Sequence, residues 1–259
     1  MGYKVDFHTH TNYSDGTMKP TDLVRMYKEQ EYDIISITDH DGVGGLKEAE
    51  IAGEALKIQV VPGIELATAY DYKGKEIEFH LLGYYIDPEN EGLLDTIADL
   101  KKKRNNRNQK LISFLAEKGY ELTEEELSEG KPHKYIGKPD FVRAMKKKGY
   151  EPDNVWDLLD SVKKEMISIE DAIQVIKGAG GLPVLAHPFK TKGLGDKDSA
   201  EFWDAINEIL KDLKKKGLKG IECYHPSASH EQGNNLAFVA GKLHMHVTEG
   251  SDFHGTEEK

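Results

Sequence analysis

Five short apolar runs in this chain each lead into a histidine or a carboxylate, and that coincidence constrains the fold more than any other feature. Val5-Asp6-Phe7 runs into His8 and His10, and Ile34-Ile35-Ser36-Ile37 into His40. Ile58-Gln59-Val60-Val61 is followed by Glu65, Leu182-Pro183-Val184-Leu185-Ala186 by His187, and Met245-His246-Val247-Thr248 by Asp252 and His254. Runs this short, β-branched and bounded by Gly, Pro or polar residues suit buried parallel strands. Leu218-Lys219-Gly220-Ile221-Glu222-Cys223-Tyr224 repeats the pattern. Helical stripes lie between these runs: Leu46, Ala49, Gly53 and Leu56, then Ile169, Ala172, Ile173 and Ile176, then Leu236, Ala240 and Leu243. Ser168 with Asp171 three residues on gives the second stripe a capping-box start. Leu66 to Tyr70 and Glu76 to Leu82, joined around Lys73-Gly74, read as a β-hairpin. Strands alternating with helices predict a barrel-like or doubly wound α/β sheet. In α/β barrels the strand C-termini are where active sites form.

The middle of the chain breaks the rhythm. From about Asp87-Pro88 to about Lys164 the pattern is helical, with no convincing strand. Lys101 to Lys110 is almost wholly polar, and Lys138-Pro139 opens a helix carrying Phe141, Val142 and Met145. This predicts an inserted helical subdomain over 88–164 and a barrel domain assembled from 1–87 and 165–259. The lysine triplets beginning at Lys101, Lys146 and Lys214 read as solvated helix faces.

Composition narrows the partners. With 259 residues, 38% hydrophobic and 31% charged, the chain can bury a sizeable core. A net charge of −11 gives no broad electrostatic footprint for duplex nucleic acid. An anionic substrate therefore needs local positive charge, from a metal or a few placed Arg and Lys. No window approaches the roughly 18 unbroken apolar residues of a membrane helix, and Met1 to Asp6 lacks a signal-peptide core. A single cysteine, Cys223, excludes an internal disulfide framework and fits a cytoplasmic location. It is expected to pack as a small hydrophobe.

Nine candidate ligands collect at or near predicted strand ends: His8, His10, Asp15, His40, Glu65, His80, His187, Asp252 and His254. Imidazole and carboxylate together suit Zn²⁺, Mn²⁺ or Fe, and carboxylates can bridge two ions. His-x-His on a strand puts both rings on one face, since side chains alternate with period two; Asp252 and His254 share that spacing. Asp39 and Asp41 are expected to support the ligands or a turn. His225 and His230 lie near a strand end, with His230 read as either a site residue or a helix cap. Trp156 and Trp203 are expected in the core. No Gly-Lys-Ser/Thr phosphate loop, Gly-x-Ser-x-Gly elbow or paired-Cys zinc spacing is present.

His8-Thr9-His10-Thr11-Asn12-Tyr13-Ser14-Asp15-Gly16, Thr38-Asp39-His40-Asp41, Pro62-Gly63-Ile64-Glu65, Leu185-Ala186-His187-Pro188 and Gly250-Ser251-Asp252-Phe253-His254-Gly255 resemble the successive motifs of the PHP (polymerase and histidinol phosphatase) family, in family order from Val5 to Gly255. The resemblance implies a distorted seven-stranded β/α barrel. It implies three divalent ions: one held by His8, His10, Glu65 and Asp252, a second by Glu65, His80 and His187, and a third by Asp15, His40 and His254. Within the family the chain looks most like stand-alone phosphoesterases with a helical insertion, including enzymes that remove the 3′-phosphate of 3′,5′-nucleotide bisphosphates or trim short RNA from its 5′ end. That subgroup often carries a Gly-Arg-Pro-His-like segment, which here reads Gly137-Lys138-Pro139-Asp140, followed by Arg143. Lysine meets a phosphate as a point charge, not as a bidentate fork.

The activity implied is hydrolysis of a phosphate ester of a small nucleotide or short oligonucleotide, with a metal-bridging hydroxide attacking phosphorus in line. Either His230 or Asp41 is expected to protonate the leaving group. Lys138 and Arg143 are expected to clamp a second phosphate or the nucleotide, with Arg104 and Arg107 as weaker candidates. The competing readings are a histidinol-phosphate phosphatase and a metal-binding regulatory module without turnover.

Overall fold

The computed structural model describes residues 2–129, 133 and 135–255. Its strands are β1 (Val5–Thr9), β2 (Ile34–Ile37), β3 (Gln59–Tyr72), β4 (Lys75–Tyr84), β5 (Ile167–Ser168), β6 (Leu182–Leu185), β7 (Gly220–Tyr224) and β8 (His246–Glu249). Its helices are α1 (Pro20–Glu29), α2 (Leu46–Leu56), α3 (Glu91–Glu117), α4 (Glu124–Leu127), α5 (Lys138–Lys147), α6 (Val155–Asp160), α7 (Ile169–Gly178), α8 (Ala200–Lys216) and α9 (His230–Lys242). None is long and apolar enough to cross a membrane among the described residues.

Seven strands follow one another in the order β1-β2-β3-β4-β6-β7-β8, with the two-residue β5 beside β3. The ring nearly closes on itself. Just past β8, His10 N donates to Phe253 O (2.8 Å) and Phe253 N donates to His8 O (3.3 Å). The structure is thus a distorted β/α barrel rather than an open, doubly wound sheet. The distortion has a definite source: β4 runs antiparallel to both neighbours, while the remaining ladder pairs are parallel.

The hairpin expected around Lys73-Gly74 is present, but its first arm is not a separate strand. β3 runs without a break from Gln59, pairing with β2 as far as Pro62 and with β4 from Gly63 onward. Glycine is required at that handover, because a Cβ on Gly63 would lie 2.6 Å from Ser36 Oγ and 2.9 Å from the Ile37 carbonyl.

Three apolar clusters hold the fold. The largest packs the helices on the barrel, using Leu23, Val24 and Tyr27 of α1, Ile173 and Ile176 of α7, and Ile206, Ile209 and Leu213 of α8. A small plug of Val61, Leu82, Tyr84, Val184 and Ala186, with Phe7 against it, fills the barrel interior. The third, Leu111, Leu115, Leu127, Phe141, Met145 and Leu159 among others, lies wholly within α3 to α6. Helix α3 serves two cores: Leu93 and Leu100 pack on the barrel cluster, Leu111 and Leu115 on the helical one. Trp203 packs against the barrel cluster as expected, whereas Trp156 is 48% exposed on α6 and is not a core residue.

Candidate metal centre

The barrel aims its polar side chains inward by breaking its own periodicity. The register of β1 against β2 shifts between Asp6 and Thr9. That irregularity lets consecutive residues both face the interior: Phe7 reaches Tyr84 across the barrel (5.7 Å between rings), and His8 reaches Glu65 and Glu222 on other strands.

Glu65 is the hub. This fully buried carboxylate lies against five imidazoles: His8 Nε2 at 3.2 Å, His10 Nε2 at 3.3 Å, His40 Nδ1 at 3.1 Å, His80 Nδ1 at 2.8 Å and His187 Nε2 at 3.1 Å. Asp252 Oδ1 adds contacts to His8 (3.3 Å) and His10 (3.1 Å). Asp15 forms a second focus, with His254 Nε2 at 3.3 Å, His40 Nε2 at 3.6 Å and His10 Nδ1 at 3.9 Å. All nine sequence-selected side chains therefore meet in one basin, although Glu65 and His80 lie within the long hairpin strands β3 and β4 and not at strand ends. Within it, three overlapping groups bring their donor atoms within 4.8 Å of one another: His8, His10, Glu65 and Asp252; His10, Asp15, His40 and His254; His40, Glu65 and His80.

The electrostatics are those of a dense, mutually compensating set. Burial alone would raise Asp15 and Asp252, but the surrounding imidazoles outweigh it and hold both carboxyls well below the usual carboxylate range. Burial alone would lower His10 and His80, yet the neighbouring carboxylates push them up to about 10 and about 9. His40, where burial prevails, falls to about 3. Four buried atoms of this set have no hydrogen-bond partner: His8 Nε2, His10 Nδ1, Asp15 Oδ1 and Glu65 Oε2. Buried polar atoms normally find partners. Orphaned nitrogen and oxygen donors gathered in one basin fit divalent cations, which would supply the missing partners.

Supporting residues fix this geometry. Glu222, 1% exposed on β7, places Oε1 3.0 Å from His8 Nδ1 and accepts from the His187 amide at 2.8 Å. It thereby orients one candidate ligand's ring and another's backbone. Gly250 makes room for it, since a Cβ there would meet Glu222 Oε1 at 2.5 Å. Asp39 accepts from Thr11 N (2.7 Å), Thr11 Oγ1 (2.6 Å) and Ser14 Oγ (2.7 Å), pinning the loop that carries Asp15. Three non-glycine residues of the site hold positive φ: Asp41 (47°), His187 (24°) and Asp252 (55°). Such conformations cost about 1–3 kcal/mol each and concentrate at functional sites.

Two of the sequence-selected residues lie away from the basin. His230 begins α9 on the surface, where its Nδ1 accepts from Asn234 Nδ2 (3.0 Å) and Ser229 caps the helix; it does not reach the basin. The imidazole that does is His225, with Nε2 3.4 Å from Asp252 Oδ2 and its ring 5.2 Å from that of His187. Arg143 is likewise elsewhere. On α5 it lies one turn from Asp140, pairs with it at 2.6 Å and donates to the Leu127 carbonyl at 2.9 Å, within the helical segment. Lys138 does line the cleft beside the basin, paired with Asp160. Asp41 is there too, accepting from Arg104 Nη1 at 2.7 Å.

Sequence reasoning missed two residues. Glu222 had a usable signal, an acid inside an otherwise apolar strand, where a buried carboxylate needs partners. His225 directly follows its strand, as other site histidines do.

The cleft holds about 200 Å³. Asp15, His40, Asp41 and His80 form one wall, and Arg104, Arg107, Tyr135 and Lys138 from the helical segment form the other. Arg104 lies 4.2 Å over the Tyr135 ring.

Known proteins are similar to this chain along nearly its whole length. A phosphoribosyl 1,2-cyclic phosphate 1,2-diphosphodiesterase of Eggerthella lenta is 29% identical, covering 96% of this chain and 94% of its own. A 5′-3′ exoribonuclease of Haemophilus influenzae is 29% identical over 98% and 91%. A 3′,5′-nucleoside bisphosphate phosphatase of Chromobacterium violaceum is 27% identical over 98% and 88%. Among solved structures, a Chromobacterium violaceum protein described as an amidohydrolase, with bound sulfate and no metal, superimposes with a TM-score of 0.85 at 25% identity, over 98% of this chain and 89% of its own. A provisionally assigned metal-dependent phosphoesterase of Bifidobacterium adolescentis does so at 0.81 and 26%, over the same shares. The PHP domain itself matches residues 6–225, which hold the bulged first strand, the Glu65 hub and His187, and the chain belongs to the PHP domain family.

Proposed function

We propose that this protein is a metal-dependent phosphoesterase that hydrolyses a phosphate ester of a small nucleotide or short oligonucleotide. The observation that carries the reading is Glu65, a fully buried carboxylate in contact with five imidazoles, flanked by orphaned donor atoms. On this reading His8, His10, Glu65 and Asp252 hold one ion, Glu65, His80 and His187 a second, and Asp15, His40 and His254 a third, the ions being manganese, zinc or iron. Divalent ions bound there supply charge neutralisation for the phosphate oxygens and lower the pKa of water toward neutrality.

The protein's own groups do the rest. The Ser227 amide donates to His225 Nδ1 at 2.9 Å, so neutral His225 carries its proton on Nε2, on the side of Asp252. That places an N–H hydrogen-bond donor beside the basin, and we assign to His225 the stabilisation of the leaving oxygen by that hydrogen bond, in place of the protonation expected of His230 or Asp41. Asp41 is committed to Arg104, and its task is to hold that guanidinium at the cleft. Lys190, 2.6 Å from Asp252 Oδ2, brings a further cation to the rim. Residues 88–164 act as an insertion between barrel halves 1–87 and 165–259, narrowing access so that small or single-stranded substrates enter.

The three relatives act, by their names, on a cyclic phosphate, on RNA and on a nucleoside bisphosphate. A nucleotide substrate follows more naturally from these than histidinol phosphate or a site without turnover. The test is phosphate release with Mn²⁺ from a 3′,5′-nucleotide bisphosphate, a 5′-mononucleotide, histidinol phosphate and a short RNA. Release from a nucleotide or the RNA is expected. Metal-loaded protein that releases nothing, or acts on histidinol phosphate alone, contradicts the proposal.

A further inference from the structure

The barrel is closed between β1 and β8 by very little. Among the described residues no ladder pairs the two strands directly, and past β8 only the exchange between Phe253 and the His8 and His10 backbone joins the chain to β1. Both sides of this seam nevertheless carry candidate ligands, His8 and His10 on one and Asp252 and His254 on the other.

A further tie comes from Asp6, a carboxylate 3% exposed within β1. Its Oδ1 accepts from two amides at once, His8 N at 3.1 Å and Ser251 N at 3.0 Å, and its Oδ2 accepts from the Tyr27 hydroxyl of α1 at 2.7 Å. The bond from the His8 amide, two residues on, is of the kind that competes with a β ladder. It falls where the β1 register shifts between Asp6 and Thr9 and His8 meets Glu65. The bond from Ser251 lies next to Asp252, whose backbone holds a φ of 55°. Such a conformation persists only where its surroundings over-determine it. Gly250 lets the two sides touch, since a Cβ there would meet His8 Cβ at 2.3 Å. A buried carboxylate is tolerated only when its lone pairs are answered; here the donors that answer it are the backbone of one candidate ligand and the residue preceding another.

We propose that Asp6 is a positioning residue for the metal centre: one carboxylate oxygen clasps the two sides of the seam and sets His8 and Asp252 in their ligating places before an ion arrives. The proposal rests on the metal-dependent reading and concerns the ion assigned to His8, His10, Glu65 and Asp252. The ion assigned to Asp15, His40 and His254 depends on the clasp less, because Asp39 pins the loop of Asp15 independently.

The experiment has two arms. In the first, hydrogen exchange of single amides is read by NMR on the metal-free wild type. The Ser251 and His8 amides are expected to exchange as slowly as the ladder amides of β1 and β2. A Ser251 amide that exchanges like open loop overturns the clasp, and this arm needs no variant to fold. In the second, Co²⁺ is titrated while its visible ligand-field spectrum and the number of bound ions are recorded. Asp6→Ala should bind one ion about 10–100-fold more weakly, with an altered spectrum, the usual worth of a group that orients ligands. Asp6→Asn, whose Oδ1 can still accept from both amides, should regain most of the affinity and the wild-type spectrum. Phe141→Ala, destabilised in the separate helical core, should bind every ion as the wild type does, which separates positioning from a general loss of stability. Wild-type affinity in Asp6→Ala, an equal loss at every ion, or Asp6→Asn no better than Asp6→Ala overturns the proposal. If the wild type binds no Co²⁺, the metal-dependent reading fails, whereas the exchange of the Ser251 amide still decides whether Asp6 holds the seam.

Discussion

The strand ends and the helical segment face each other across one cleft, yet they are built on opposite terms. In the metal basin every charge answers another: Glu65 alone meets five imidazoles, Asp15 meets three and Asp252 four. The helical segment has an apolar core of its own, around Leu111, Phe141 and Leu159, and lines the cleft with Arg104, Arg107, Tyr135 and Lys138. The first wall gathers acids and imidazoles; the second is cationic and aromatic. On the proposed function, chemistry falls to the first and recognition to the second, and the two should fail separately.

Glu65→Gln is the most severe way to break this division. Losing the charge shared by all five imidazoles should lower both metal occupancy and phosphate release by more than 100-fold, since even residues that only support ligands are worth 10–100-fold. Elemental analysis after dialysis, alongside turnover, checks it; full metal occupancy in that variant would remove Glu65 from the centre.

Phe141→Ala strikes the other wall. Phe141 is fully buried in the helical core, and its truncation costs about 3–5 kcal/mol. Because that core is separate from the barrel cluster, the expected outcome is a rise in KM with bound metal unchanged. Loss of metal in step with KM would show that the two regions are one cooperative unit.

Glu222→Gln sharpens the comparison on the barrel side. It keeps the shape but weakens the hold on His8 Nδ1 and the His187 amide, so metal affinity should fall 10–100-fold while the preference among nucleotide substrates persists. Calorimetric titration with Mn²⁺ reads the first and matched-substrate kinetics the second.

The smallest effect is on pH dependence. His10 and His80 are raised to about 10 and about 9, chiefly because Asp252 and Glu65 outweigh burial. A raised imidazole stabilises the fold fully below its unfolded pKa near 6.5, and that contribution is lost as pH climbs through the folded value. The metal-free protein should therefore lose stability between pH 6.5 and pH 9. The metal-loaded protein should gain it over the same range, because the ligands bind as neutral imidazoles. Melting curves with chelator and with metal decide this, and parallel trends in the two would contradict it.

The same division explains how much was legible in the sequence. His8, His10, Glu65 and Asp252 sit in short motifs in or just after barrel strands, which fixes where they lie along the sheet, although the β1 irregularity that turns His8 inward is not written in any motif. The barrel expected from those motifs is the one found. Between His225 and His230 the spacing could not choose, because both follow β7 and only the Ser229 cap on α9 sets where the helix begins. On α5, Asp140 and Arg143 share a face, but helical periodicity does not say which face meets the barrel. Arg143 consequently turned away from the cleft while Arg107, within a stretch that reads as almost wholly polar, turned into it. Glu222 was visible as an odd residue in a strand, but its partners lie 214 positions away at His8 and 35 positions away at His187, distances that only the closed barrel abolishes.

A crystal structure of the protein grown with Mn²⁺, with anomalous scattering recorded at the manganese edge, tests the central claim most directly. The account predicts anomalous peaks within about 2–2.5 Å of His8 Nε2, Glu65 Oε2 and Asp15 Oδ1, so that the atoms orphaned in the basin become ligands. Side chains left as they are with no anomalous peak among them, in a protein shown to be exposed to saturating manganese, would contradict it.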